Sequence, residues 1–356
     1  MTNTVFGKIV TSAYQSPAWC KNRHVQTIWG KYGVRRAPIA WRLERFTLPD
    51  DDYVQLAWAP EPQQVKGVVA LFHGLEGSKD SHYIQDAVAA FTKTDYQMVL
   101  MHFRGCHGEP NGTHRAYHSG ETSDALAFAK TLQTRYPDIP LFAVGFSLGG
   151  NMLMKLAGET GTECPFVSCV SVSAPLRLDQ CAEAIQQGFA KVYEAKLLRS
   201  MQANLRAKMA TMDYRGKVRV SAATVKNLDT FTKFDENVTA PLHGFAGADD
   251  YYHKCSGLQF LKSIQKPTLI LHALDDPFMN QKVVPKAQEL SPKVAYELSR
   301  RGGHVGFLTG APWCVGSWLQ IRIPEFIDEQ FLVYQGAAEQ AQEGVHDVHA
   351  KAEHSS

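Results

Sequence analysis

Three short stretches of the chain carry the side chains needed to cleave an acyl bond: GFSLG at 145–149, LDDPF at 274–278 and RGGHVGF at 301–307. A serine hydroxyl such as that of Ser147 attacks a carbonyl only when a base accepts its proton and an acid orients that base. His304 is the candidate base, and Asp275 or Asp276 the candidate acid. The order serine, acid, histidine along the chain is one of the orders known for such triads, and it accompanies a serine at a sharp strand-to-helix turn.

The acid must be chosen between two adjacent aspartates that follow the apolar run LILHAL. Pro277 fixes the backbone directly after Asp276, whereas Asp275 continues the alternation of the strand. We therefore favour Asp276 as the acid. Asp275 stays open as the alternative, since either carboxylate could instead cap the turn that follows.

Acyl transfer also requires two donors aimed at the oxygen on which negative charge develops. One candidate is the N–H of Leu148, the residue after the candidate nucleophile, and the other is the N–H of Leu75 in the loop HGLEGS. His73 in that loop is interpreted as structural rather than as a base. The mechanism needs neither a cofactor nor a metal.

The elements that must position these groups follow from hydrophobic patterning. Continuous apolar runs typical of strands buried on both faces alternate with helical segments of about 10 to 15 residues, which predicts a mostly parallel, doubly wound α/β sheet. The predicted strands are GVVALF, QMVLMHF, PLFAVGF, FVSCVSV, KPTLILHAL and VAYELS. Ser147 would stand between a strand over 140–146 and a helix over 148–158. A hairpin from RLERFTLP and YVQLAWAP precedes them, and helices are expected near 281–290 and around IPEFIDEQFLVYQ.

This alternation also divides the chain into regions. Residues 1–41 carry no clear period and are expected to pack irregularly on the core. The core comprises 42–175 and 241–335, interrupted by a Lys- and Arg-rich helical cap at 176–240. Residues 336–356 are polar and are predicted to form a disordered tail.

Composition excludes several classes of function. The 356 residues carry a net charge of +2 from 37 basic and 35 acidic residues, so no nucleic-acid partner is implied. No apolar run is long enough for a membrane span and no secretory signal precedes the first strand, so a cytoplasmic location is expected. The seven cysteines are scattered without a CxxC and are interpreted as reduced thiols. The oligomeric state is left undetermined.

One histidine-rich stretch requires a metal site to be considered. MHFRGCHGEPNGTHRAYHSG contains five possible ligands: His102, Cys106, His107, His114 and His118. The segment reads as a loop because of Pro110 and Gly112, and it lacks an HExxH or a pair of CxxC motifs, so metal binding is disfavoured. Arg104 and Gly105 are interpreted as a turn near the rim of a pocket. The basic residues of the cap are interpreted as a solvated face, with attraction of an anionic substrate or lipid head groups as the alternative.

The stretches LFHGLEGS, HFRGCHG, VGFSLGGNM, HALDDPF and GGHVGF, together with HVQTI and DDYYHKCSG, resemble the YheT-type branch of the α/β-hydrolase superfamily over about residues 20 to 330. The resemblance implies an α/β-hydrolase fold and an esterase, with Ser147 as nucleophile, Asp276 as acid and His304 as base. The branch includes eukaryotic proteins that act on medium-chain acyl esters, on phospholipids or, by acyl transfer, on alcohols. Cys106 and Glu109 stand where that pattern has smaller residues, at the expected pocket rim.

Together these observations predict a serine hydrolase that cleaves small-molecule carboxylic esters, with short- to medium-chain acyl groups or acylglycerol-like lipids, through an acyl-serine. One alternative is an acyltransferase, in which an alcohol replaces water at the same intermediate. The other is a non-catalytic binding protein on a hydrolase scaffold.

Overall fold

The computed structural model describes the backbone of residues 4–353 and the side chains of residues 4–340. Within these residues, nine strands form one sheet in the order β1-β9-β8-β7-β6-β4-β5-β3-β2. The strands are β1 (Lys8–Thr11), β2 (Arg42–Thr47), β3 (Tyr53–Trp58), β4 (Gly67–Phe72), β5 (Tyr96–Met101), β6 (Leu141–Phe146), β7 (Ser168–Val172), β8 (Thr268–Ala273) and β9 (Val294–Ser299).

The predicted mostly parallel, doubly wound sheet is confirmed. Every residue of β4 through β8 is buried, because helices cover both faces of the sheet. The predicted hairpin is also present: β2 pairs antiparallel with β3, with Thr47 opposite Tyr53, and β3 joins the parallel strands at β5. The carboxyl ends of the parallel strands therefore meet at one edge of the sheet.

The helices are α1 (Arg23–Tyr32), α2 (His82–Phe91), α3 (Ser123–Arg135), α4 (Leu148–Thr160), α5 (Leu178–Ile185), α6 (Ala190–Thr211), α7 (Phe231–Phe234), α8 (Ala240–His243), α9 (Ala248–Cys255) and α10 (Leu319–Glu353). A π-helical segment, Asp235–Thr239, joins α7 to α8. A small hairpin pairs β10 (Leu308–Ala311) with β11 (Cys314–Ser317). None of the helices in the described part of the chain is both long and apolar enough to cross a bilayer.

Two apolar layers, one on each face of the sheet, make up the core. Phe72, Phe128 and Phe166 pack on one face. Phe146 and Phe326 belong to the layer on the other face. Burial of these large rings helps to stabilise the packing of helices on the sheet.

The helices between β7 and β8 form the inserted region. Leu198, Leu205 and Val238 belong to a separate apolar cluster there. The predicted cap ends at residue 240, whereas the observed helices continue through α9 to Cys255. Tyr251 of α9 belongs to the same small cluster as Leu178 of α5, so these later helices pack against the start of the insertion.

Three local expectations differ from the structure. The segment 1–41 was expected to be irregular, but it contains β1, which pairs parallel with β9, and α1. The helix expected near 281–290 is replaced by two 3₁₀ turns, Gln281–Val283 and Ala287–Glu289, because Pro285 between them interrupts a continuous helix. The backbone of α10 extends to Glu353, so most of the expected disordered tail is helical, in keeping with its Ala, Glu and Gln content.

Candidate active site

Ser147 lies at the turn between β6 and α4, with φ 51° and ψ −119°. A non-glycine residue in this region costs roughly 1 to 3 kcal/mol of strain. Gly145 and Gly149 make the turn possible: a Cβ on Gly145 would lie 2.5 Å from the Gly149 carbonyl oxygen, and one on Gly149 would lie 2.5 Å from that of Phe72. The strand and helix approach closely enough to present the hydroxyl at the edge of the sheet.

A hydrogen-bonded chain connects Ser147 to a buried acid. Nε2 of His304 lies 3.0 Å from the Ser147 hydroxyl oxygen, and Nδ1 lies 2.8 Å from Oδ2 of Asp276. Since the carboxylate can only accept, it fixes the proton of a neutral imidazole on Nδ1 and leaves Nε2 free to accept from the serine. The three predicted side chains are thus within hydrogen-bond distance, although 129 or more residues separate the serine from its partners in sequence.

The two adjacent aspartates have different partners. Asp276 is 1% exposed and its second oxygen accepts a hydrogen bond from the N–H of Phe278 at 2.9 Å. Asp275 instead accepts from the N–H of Gly303 at 2.9 Å, and burial raises its pKa. Asp276 therefore contacts the imidazole of His304, whereas Asp275 holds the backbone of the loop that carries it.

Phe278 further restricts the imidazole. Its ring is stacked on that of His304, with centroids 4.0 Å apart and planes 5° apart. Tyr193 of α6 also packs on the Phe278 ring, with centroids 5.1 Å apart. The ring that stacks on the imidazole is therefore itself in contact with the cap.

The loop that carries His304 depends on the N-terminal segment. The Thr27 hydroxyl of α1 accepts a hydrogen bond from the N–H of His304 at 3.0 Å. Val305 and Phe307 adopt positive φ angles of 57° and 45°, and the N–H of Val305 donates to the hydroxyl of Ser173 at 3.1 Å. Reasoning from residue chemistry missed Thr27, although the stretch HVQTI that contains it contributed to the family resemblance.

Of the two residues whose N–H groups are predicted to stabilise an oxyanion, Leu148 directly follows Ser147, and Leu75 lines the same cavity as Ser147. Among the described residues, neither the N–H of Leu75 nor that of Leu148 has a hydrogen-bond acceptor. The residue before Leu75 is held by a hydrogen bond, because the N–H of Gly74 donates to the Tyr83 hydroxyl at 2.9 Å. Nε2 of His73 accepts from the N–H of Phe103 at 3.0 Å, so its Nδ1 proton bonds to the Gly74 oxygen. Burial lowers the pKa of His73 to about 3, which keeps it neutral in this structural position.

Glu76, the residue after Leu75, joins this loop to the cap. It has a φ of 55°, and its N–H donates to the Tyr117 hydroxyl at 2.9 Å, while that hydroxyl lies 2.8 Å from Oε1. Oε2 accepts from Asn204 of α6 at 2.7 Å and from the Ser200 hydroxyl. Sequence reasoning did not identify Glu76, because its partners come from distant parts of the chain.

A cavity of about 560 Å³ opens onto Ser147 and His304 beneath the cap. Apolar side chains from α5, α6 and the π-helical segment line much of it, including Ile185, Leu197, Met201 and Val238. Cys106 and Glu109 line it as well, so the pocket-rim position expected for them agrees with the structure. Such a site is large enough for an acyl chain of several carbons.

The histidine-rich loop is held by protein contacts. Nε2 of His114 lies 2.8 Å from the Asp213 carbonyl oxygen, and Nδ1 of His102 lies 2.9 Å from that of Gln55. Within the described residues, no group of three or more His, Cys, Asp or Glu side chains is arranged as a metal site. Arg104 of the turn is buried and forms ion pairs with Asp124 at 2.7 Å and Asp52 at 2.8 Å, which anchor the loop to the core.

The α/β-hydrolase class of proteins is defined by a mostly parallel sheet that carries a strained serine between a strand and a helix. In the same class, an acid and then a histidine follow later in the sequence, each after another strand. This chain has that arrangement. Comparison with known proteins agrees. The family described as alpha/beta hydrolase fold matches residues 67–311, and the chain belongs to this family.

Two curated relatives and one solved structure give the detail. The chain is 44% identical over 308 residues to "Putative esterase YheT" of Escherichia coli strain K12, covering 86% of this chain and 90% of that protein. It is 26% identical over 311 residues to "Phospholipase ABHD3" of Mus musculus, covering 85% and 75%. The Pyrococcus furiosus esterase Pf2001 superposes with a TM-score of 0.53 at 16% identity, covering 93% of this chain and 98% of that one, which supports the shared fold.

Proposed function

We propose that the protein is a serine hydrolase that cleaves carboxylic esters through an acyl-serine intermediate. The observation that carries this proposal is the chain of hydrogen bonds from Asp276 through His304 to Ser147, with the serine and histidine lining the cavity. The esterase and phospholipase names of the two relatives agree with the same reaction class.

In the first half of the reaction, the Ser147 oxygen attacks the acyl carbon while Nε2 of His304 accepts its proton. Asp276 stabilises the resulting imidazolium. The N–H groups of Leu75 and Leu148 donate to the oxyanion of the tetrahedral intermediate. His304 then returns the proton to the leaving alcohol, and the acyl group remains on Ser147.

In the second half, His304 removes a proton from water as the water oxygen attacks the acyl carbon, and it then gives that proton to the departing Ser147 oxygen, which releases the acid and restores the free enzyme. The substrate we propose has a short- to medium-chain acyl group or is acylglycerol-like, because the cavity of about 560 Å³ has aliphatic side chains in its lining beside polar ones.

Labelling with a fluorophosphonate tests the nucleophile directly. We expect mass spectrometry to find the phosphonyl group on Ser147. Ser78 is a matched control, since it also lines the cavity, and Ser78→Ala should label like the unchanged protein. Absence of labelling in folded protein would contradict the proposal and favour a binding protein on a hydrolase scaffold.

The cavity wall gives a prediction on acyl chain length. Leu197→Trp should lower kcat/KM for an octanoyl ester by about 10- to 50-fold relative to an acetyl ester, since each excluded methylene loses roughly 0.8 kcal/mol of transfer free energy. A panel of esters with increasing chain length measures the effect. Ala203→Trp, on an exposed position of the same helix, is the control and should leave the chain-length profile unchanged. Equal profiles for both variants would place the acyl group elsewhere.

Glu76 gives a prediction on the oxyanion loop. Glu76→Ala removes its bonds to Ser200, Asn204 and the Tyr117 hydroxyl, so the N–H of Leu75 should lose its fixed position. We expect kcat to fall by about 10- to 100-fold, because a small misplacement of a catalytic group has effects of this size. KM should change less, and Glu76→Gln should restore part of the rate. Glu109→Ala, which removes another carboxylate of the cavity rim, should have little effect; equal losses in both would contradict this role.

A further inference from the structure

Exposed aromatic and aliphatic side chains gather on one face of the molecule, beside the cavity. The face is formed by α1 with the turn before it, the start of α6, and the β10–β11 hairpin, and we call it the aromatic face. Its most exposed members are Trp313 (87%), Tyr32 (68%), Val192 (55%), Phe189 (50%) and Trp29 (41%). Large apolar groups exposed together, rather than singly, indicate an interaction surface.

Direct contacts join the three parts of this face. The indole N–H of Trp19 donates to the Gly310 oxygen of the hairpin at 2.8 Å, and its ring packs on Trp29 with centroids 5.9 Å apart. Phe189 packs on His24 of α1, with centroids 4.7 Å apart. Lys196 of α6 lies 3.2 Å from the Tyr32 hydroxyl. Trp313 lies in the turn between β10 and β11, so it is carried by the hairpin that Trp19 contacts.

The same face is strongly basic. The three segments that form it are residues 17–36, 187–200 and 300–318, and Glu194 is their sole acidic residue. Glu194 is 4% exposed and accepts a hydrogen bond from the N–H of Phe231, so its charge does not reach this surface. The exposed basic side chains of these segments include Lys21, Arg23, Lys31, Lys191, Lys196, Arg199 and Arg301.

We propose that the aromatic face docks on the surface of an anionic lipid bilayer. Basic side chains are attracted to the negative surface potential of such a membrane, and Trp and Tyr side chains insert at the level of its head groups. A purely solvated basic face would not require a tryptophan that is 87% exposed. Charge complementarity thus selects a negatively charged partner, and the clustered aromatic groups select one with an apolar interior.

A second copy of this chain fits the face less well. In a twofold symmetric dimer the same surface of each copy meets the other, so the basic side chains would face one another. Such like-charge contacts oppose association. A bilayer offers the opposite charge over the whole area of the face.

The face is also coupled to the candidate active site. Helix α6 carries Lys191 and Lys196 on the outside and Leu197 on the cavity wall. Tyr193, on the same helix, packs against Phe278, which is stacked on His304. Docking would therefore place the cap and the cavity next to the membrane. Binding itself does not depend on the proposed hydrolase activity.

Vesicle co-sedimentation of the full chain tests this inference. We expect binding to phosphatidylcholine vesicles that contain about 30 mol% phosphatidylglycerol, weak binding to phosphatidylcholine alone, and loss of binding as NaCl rises from about 50 to 500 mM. The triple variant Lys31→Glu, Lys191→Glu, Lys196→Glu should bind about 100-fold more weakly, since each basic residue near an anionic surface contributes about a fivefold factor. Trp313→Ala should weaken binding by about 10-fold without changing its salt dependence.

The matched control carries the same change of charge at the opposite edge of the sheet. Lys93, Lys262 and Lys293 are exposed and precede the amino ends of β5, β8 and β9. Their triple substitution by glutamate should leave vesicle binding within about twofold. Equal loss in both triple variants, or equal binding to both kinds of vesicle, would overturn the proposal. Hydrolysis of a water-soluble acetyl ester, expected to be unchanged in each variant, separates failure of docking from failure of the proposed activity.

Discussion

Ser147→Ala is expected to lower kcat for a soluble ester by about 10⁶-fold, because removal of the nucleophile eliminates the acyl-enzyme route and leaves only the contribution of oxyanion stabilisation and binding. The folded state should be retained, since alanine adds no atoms at this turn. The measurement is initial-rate kinetics together with thermal unfolding of the two proteins.

Two results bear on the interpretation of that loss. Ser78→Ala should retain full activity, although Ser78 lines the same cavity, because its hydroxyl bonds within its own loop, where it accepts a hydrogen bond from the N–H of Asp80 at 3.2 Å. Substantial turnover in Ser147→Ala, with the unfolding temperature unchanged, would show that another group attacks the ester and would refute the proposed mechanism.

Asp276→Asn is expected to lower kcat by about 10⁴-fold. The carboxylate now accepts the Nδ1 proton of His304 at 2.8 Å, whereas an amide donor at that position favours the tautomer with its proton on Nε2. That tautomer cannot accept a proton from Ser147. A loss of this size is typical when the orienting acid of a Ser-His-Asp arrangement becomes an amide.

The neighbouring aspartate provides a matched control for this variant. Asp275→Asn makes the same chemical change one residue away, and its amide oxygen can still accept from the N–H of Gly303. We expect less than about a tenfold loss of kcat. If Asp275→Asn proved the more damaging of the two substitutions, the acid would have to be reassigned.

Residues of the cap and of the N-terminal segment together position the candidate catalytic histidine. Thr27 bonds to the backbone of His304, while Tyr193 backs Phe278 against its ring. Both regions also form the aromatic face. A membrane contact there would act on elements that already contact the backbone of His304 and the Phe278 ring stacked on its imidazole.

The central elements of the fold could be predicted because their signals are local. The strands β4 to β8 appear as mostly apolar runs, since burial on both faces leaves no regular alternation with polar residues, and Gly67 and Gly74 bound the run of β4. The hydrophobic pattern predicted a helix near residues 281–290, where Pro285 interrupts it. It also missed β1, which pairs with a strand almost three hundred residues away.

By itself, the sequence determined the class of fold, the candidate nucleophile, the candidate base and the preference for Asp276, because the strand-to-turn signals around these residues are local and their order can be read directly along the chain. The tertiary structure alone decided which other groups contact them. Phe278 stacks on the imidazole, and Thr27 accepts a hydrogen bond from the N–H of His304. Glu76 joins the loop of Leu75 to the cap. The tertiary structure also decided that three separate basic segments share one surface. These contacts depend on side-chain packing between segments that are far apart in the chain. The residues around each side chain therefore do not indicate its partner, because only folding brings the two together.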